Sequence, residues 1–222
     1  MFTTSTMRVR ANFRDNRLLQ FLASVYLMVW AVAAIKPLHP DDWLLENLLV
    51  FAFVPLLLLT YKRFHLSDLS YLLITLFMIL HAMGAHYTYA EVPLGFWLQE
   101  TLSLSRNHYD RIVHFSFGLF MAYPIREVFL RVANTKGFWA YYLPLDVTLA
   151  FSGLYEIIEW GATAMTNPEL GAAYLGTQGD QWDAQKDMGL AGTGALVCMI
   201  LTVTIRQRRT RDTGTSGPEG NR

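Results

Sequence analysis

Three stretches of the 222-residue chain set carboxylates and imidazoles at helical spacing. Asp110 and His114 stand four residues apart, Glu156 and Glu159 three apart, and Asp180, Asp183 and Asp187 follow a three–four step. On an α-helix each of these sets shares one face. Carboxylate and imidazole together suit a divalent ion such as Zn, Mn, Mg or Ca, and they also suit proton transfer to or from water. His114, Glu156, Glu159 and Asp187 are therefore candidate metal ligands, with Asp187 the deepest of the aspartates. Asp110, His114, Glu156 and Glu159 are candidate acid–base groups, and Arg111 and Lys186 are candidates to face an anionic substrate headgroup. Six carboxylates in this group meet two permanent cations, so two ion pairs leave four acids needing a proton, water, imidazolium or a bound cation.

Other polar residues have plainer readings. His81 and His86, beside Tyr87 and Tyr89, fit an interfacial aromatic belt. Asp42 and Glu46 open a helix and read as partners of its dipole. Asp146 lies deeper and is expected to pair with Arg126 or Arg131. None of the spacings is a specific metal signature, and no HExxH, CxxC pair, P-loop or GxSxG string occurs.

The elements that must position these residues are apolar. The chain is 53% hydrophobic and only 16% charged, below the quarter or so usual in soluble domains. Six windows are long and apolar enough to cross about 30 Å of hydrocarbon: Leu18–Ile35, Trp43–Thr60, Leu69–Ala85, Ile112–Leu130, Phe138–Trp160 and Met188–Ile205. The expected fold is all-α, a polytopic transmembrane helix bundle of about six spans. The first window is longer than a signal-peptide core and is read as a retained helix. Residues 1–17 are expected to form a basic cytoplasmic arm, 18–205 the membrane domain with its polar core in spans three to six (69–205), and 206–222 a disordered basic tail.

Orientation follows from lysine and arginine. With both termini inside, fourteen of the 18 basic residues are cytoplasmic, and only Lys36, Arg106, Arg111 and Lys186 are outside. In that N-in, C-in arrangement the acids and histidines of four spans gather at outer-leaflet depth. Ionisable groups there are costly and mark functional sites by default. Small residues continue the same faces inward: Gly118 and Ala122, Ser152 and Gly153, Ala191 and Gly194. They let helices approach closely around a polar pocket.

Zero formal net charge gives no basic field for nucleic acid. The lone Cys198 excludes an internal disulfide and a multi-thiolate metal site. The expected partners are membrane lipids, and the sequence leaves oligomeric state open.

The strings His108-Tyr-Asp-Arg-Ile-Val-His114-Phe-Ser-Phe-Gly118, Tyr155-Glu-Ile-Ile-Glu159-Trp160 and Gly179-Asp-Gln-Trp-Asp-Ala-Gln-Lys-Asp187-Met188 carry a resemblance. From about Leu18 to Thr204 the chain resembles the YjdF-type bacterial inner-membrane proteins, a family without an assigned activity. More loosely, Asp110, Arg111, His114, Glu156 or Glu159, and Asp187 resemble the VanZ-like pattern, associated in some bacteria with glycopeptide-antibiotic resistance. The resemblance implies a bacterial plasma-membrane location and supplies no reaction. Three readings stay open: a metal-dependent membrane enzyme acting on a lipid or lipid-linked substrate, a cation-binding transporter, and a non-catalytic scaffold whose polar network locks the helices.

Overall fold

The computed structural model describes residues 13–165 and 178–214. Among them are seven α-helices and no strand: α1 Arg17–Ala33, α2 Pro40–Tyr61, α3 Asp68–Tyr87, α4 Pro93–Thr101, α5 Tyr109–Arg131, α6 Trp139–Met165 and α7 Asp183–Gly214. Local chemistry marks several starts. Asn16 caps α1 by accepting from the Leu19 amide at 3.0 Å, and Ser67 caps α3 by accepting from Ser70 at 3.3 Å. Pro40 and Pro93 open α2 and α4, where a missing N–H costs nothing.

Six of the helices coincide with the six apolar windows, and the protein is a helical membrane bundle. By length and composition α2, α3 and α7 as far as Arg208 are long and apolar enough to cross a bilayer. The 17-residue α1 is apolar but shorter. Large side chains such as Leu58, Leu59, Ile157 and Trp160 are exposed, as expected where lipid rather than water is the solvent. In α5 and α6 the polar residues that lower mean hydropathy include Asp110, Arg126, Glu156 and Glu159, all turned inward.

The centre of the bundle is α5, packed against α7, α3 and α6, with α1 lying on α3 and α2 in lighter contact with α3. The tightest approach is between α5 and α7. A Cβ on Gly118 would fall 1.8 Å from the Ala191 carbonyl oxygen, and one on Gly194 would fall 2.1 Å from that of Phe115. Only glycine fits at either position.

The helices run alternately between two ends, one acidic and one basic. At the acidic end the His86 imidazole meets the Ala33 carbonyl at 2.8 Å, joining α3 to α1. At the basic end Glu127 of α5 accepts from the Ser67 amide at 2.8 Å and from the Ser70 hydroxyl at 2.6 Å, tying down the start of α3.

Several boundaries differ from those read off the sequence. The nine-residue α4 lies between the third and fourth apolar windows, where the sequence predicts no span. Its Gly95 packs so closely on Asn107 that a Cβ would lie 1.7 Å from Oδ1. The last helix begins at Asp183, so Lys186 and Asp187 sit in its first turns. It continues to Gly214, well into the stretch expected to be a tail. Residues 1–12 of the expected arm and 215–222 of the expected tail lie outside the described residues, as do residues 166–177.

Candidate functional site

The polar residues of the acidic end fall into two layers. The upper one is an ion-paired cover. Arg106, from the segment between α4 and α5, is only 8% exposed and grips Asp183 with both terminal nitrogens, at 2.5 and 3.2 Å. Arg111 donates to Asp180 at 2.5 Å and to Asp183 at 3.3 Å, and Lys186 donates to Asp180 at 2.6 Å. The Lys186 ammonium and then the Trp182 amide hold the Asp180 carboxyl down at about 2. Burial and the neighbouring Arg111 push the His108 imidazole below its usual range. His108 accordingly accepts from Arg111 through Nδ1 at 3.3 Å. Asn107 braces the cover: its backbone N–H and carbonyl are matched by the Gln178 side chain at 3.1 and 2.9 Å.

Beneath this cover the lower layer holds acids that, among the described residues, have no Lys or Arg at ion-pair distance. One ligand atom each from Asp110, His114 and Asp187 lies within 4.8 Å of the other two. Two ligands on opposite sides of an ion, each about 2.3 Å away, stand about 4.6 Å apart. His114 Nε2 is 3.5 Å from Asp110 Oδ1 and 3.5 Å from Glu156 Oε1. Asp187 is 2% exposed, and among the described residues neither its Oδ1 nor Glu156 Oε1 accepts a hydrogen bond. Buried carboxylate oxygens without donors are rare, because an unmet lone pair forfeits its hydration. Glu159, also buried, has Glu46, Asp110 and Glu156 as its charged neighbours.

An apolar cleft of about 400 Å³ between α2, α3, α5 and α6 opens onto this layer. Its walls include Phe53, Phe77, Met121 and Phe151, and its polar end is formed by His81, Tyr89, His114 and Tyr155. His81 Nδ1 meets the Tyr89 hydroxyl at 2.6 Å, and its buried Nε2 has no hydrogen-bond partner among the described residues. The Tyr155 hydroxyl donates to Glu46 at 2.6 Å, and its ring stands edge-on to His114 with centroids 5.9 Å apart.

Of the candidate metal ligands, His114 and Asp187 come together, with Glu156 beside His114. Asp110, expected as a base, completes the three-residue group, whereas Glu159 stands one shell away toward Glu46. Arg111 and Lys186, the candidates for a headgroup, are both engaged by Asp180.

Sequence reasoning missed three contributors. Arg106 is a third cation of the cover. Asp42 and Glu46, read as dipole partners, are 1% and 3% exposed, so α2 brings two carboxylates to a polar core expected only from later helices. Their four-residue spacing at the right end of α2 was the available signal. Asp146 is exposed and hydrogen-bonded to Tyr142, not paired with Arg126 or Arg131; Arg131 pairs with Glu127 at 2.6 Å.

Comparison with known proteins gives two matches. The family model described as predicted membrane protein DUF2238 covers residues 18–208. The inner membrane protein YjdF of Escherichia coli K12 is 44% identical over 173 residues, spanning 78% of this chain and 82% of the relative. No solved structure matches.

Proposed function

This chain belongs to the DUF2238 family of predicted membrane proteins, and from that premise we propose that it is a cation-dependent enzyme acting on a lipid or lipid-linked substrate of the inner membrane. One observation carries the reading. His114 is at once a member of the buried three-residue ligand group and part of the cleft wall. A chain lying in the cleft therefore ends beside the place where a cation would be held. The cleft has the volume and apolar lining typical of a small-molecule site.

Asp110, His114 and Asp187 are the ligands in this reading. A divalent ion there would make a bound water acidic and polarise an ester or phosphoester oxygen. Glu156 has an unpartnered oxygen 3.5 Å from His114 Nε2 and is placed to take the water's proton. Glu159 and Glu46 lie behind it as a proton reservoir. The cover tethers the start of α7, and with it Asp187, to the start of α5. The count of basic residues supports both termini inside, which sets this site at the outer leaflet.

The test is metal analysis of the purified protein, with titration of Zn and Mn into wild type and Asp187→Asn. One ion per chain, lost in the variant while expression and insertion persist, is the expected result. A wild-type protein that binds no divalent ion after loading would show the lower layer to be a packing network. Stoichiometric binding without turnover of any lipid, together with ion uptake by proteoliposomes, would instead favour a permease.

A further inference from the structure

The opposite end of the bundle holds a buried cation that the polar site does not explain. Arg126 of α5 is 7% exposed, and among the described residues no carboxylate lies at ion-pair distance from it. Its Nε has no hydrogen-bond partner. Glu127 and Asp146 are engaged elsewhere, Glu127 with Arg131, Ser67 and Ser70, and Asp146 with Tyr142. The neighbour of Arg126 is Tyr141, whose ring centroid is 4.4 Å from the guanidinium carbon and whose hydroxyl is hydrogen-bonded to it. Such a contact offsets only a small part of the cost of burying a charge.

Tyr141 links this arginine to two further features. Its hydroxyl accepts from Arg206 of α7 at 3.2 Å. Its ring also forms part of an apolar groove of about 280 Å³ between α6 and α7, walled by Tyr142, Leu145, Met199 and Val203. Two arginines thus share Tyr141 at the mouth of a greasy groove, and among the described residues neither has a carboxylate at ion-pair distance.

We propose that this mouth binds the phosphodiester of an anionic phospholipid, between Arg126 and Arg206, with one acyl chain lying along the α6–α7 groove. The planar guanidinium fork matches phosphate oxygens, and a net double positive charge selects a headgroup with net negative charge over a zwitterionic one. The groove lies within the spans, so its natural occupant is a hydrocarbon chain. Basic residues at the ends of membrane helices attract anionic lipid by roughly fivefold per charge. This site is separate from the acidic end, so it stands or falls independently of the enzymatic reading.

The test is lipid retention by full-length protein reconstituted in nanodiscs of mixed phosphatidylglycerol and phosphatidylcholine, read by native mass spectrometry after release. Wild type should keep phosphatidylglycerol over phosphatidylcholine about fivefold or more, and Arg126→Gln and Arg206→Gln should each remove most of that preference. Arg206 is exposed, so its variant will fold even if the Arg126 variant does not, and it then decides the question alone. Equal retention of the two lipids by wild type, or an Arg206→Gln preference that matches wild type, would overturn the proposal. So would competition by millimolar inorganic phosphate that abolishes the preference, since the mouth would then be a site for the free anion.

Discussion

Asp180 and Asp187 are seven residues apart, yet their surroundings differ in kind. Asp180 sits in the turn before α7 and answers Lys186 and Arg111; Asp187, one layer down, has an oxygen that nothing among the described residues answers. Asp180 has a folded pKa of about 2, below the ordinary carboxylate value. The stabilisation it gives the cover is therefore complete above about pH 4 and is lost as pH falls toward its folded value. A nitroxide on exposed Gln181, carried by a Gln181→Cys variant, should stay immobile from pH 7 to about 4 and become mobile below. Asp180→Asn should be mobile already at pH 7. At the lower layer, Asp187→Asn should weaken divalent binding by more than about tenfold, whereas Glu159→Gln, one shell out, should cost less. Equal losses in a titration of both variants would mean that Glu159 is itself a ligand. The sequence made most of these residues visible, because carboxylates at three–four spacing next to apolar runs stand out. It could not assign their roles. The partition depends on Arg106, which reaches Asp183 across 77 positions of chain.

Helices were the easiest feature to read, and their ends the hardest. Six apolar windows became six helices because burial in lipid forces every backbone group to be satisfied within the segment. The glycine and alanine stripe on α5 and α7 also foretold where two backbones meet. What escaped was α4, nine residues long, whose placement rests on the tertiary contact between Gly95 and Asn107. The long reach of α7 escaped as well, since Asp183, Lys186 and Asp187 look like loop residues until Arg106 and Arg111 neutralise two of the acids around them. The α5–α7 crossing makes a sharp prediction. Gly118→Leu has no room at 1.8 Å from a carbonyl oxygen, so it should push the helices apart and draw Asp187 away from His114. Overpacking of this kind costs about 1–3 kcal/mol or more, readable as a lower thermal midpoint accompanied by weaker divalent binding. Gly189→Ala on α7, with nothing within 4 Å of the added carbon, should leave both readings at wild type.

At the scale of the whole molecule, charge is sorted between the two ends more sharply than hydropathy is sorted between spans and loops. Helices α5 and α6 are less apolar than α2, α3 and α7 even though they sit at or beside the centre of the bundle. The groups that make them so are those the bundle shelters, so a whole-window average counts against the helices nearest the site. The basic residues are free of this difficulty because they act at the ends. Arg14, Lys62, Arg63, Arg131, Lys136, Arg206 and Arg208 collect at one end, and the cations of the other are Arg106, Arg111 and Lys186, all tied to aspartates, together with exposed Lys36. The count of fourteen basic residues against four is the argument for a cytoplasmic basic end. A reporter fused after Arg211 should accordingly be active only as a cytoplasmic fusion, and one inserted after Leu102, between α4 and α5, only as an extracytoplasmic one. Adding two lysines beside Leu102 puts unpaired positive charge on the outer face, so it should shift part of the population toward the reverse orientation. Removing Arg106 by Arg106→Gln should leave orientation unchanged while loosening the cover. If instead the Arg211 fusion reports outside, the acidic site faces the cytoplasm, and a substrate drawn from the outer leaflet is ruled out.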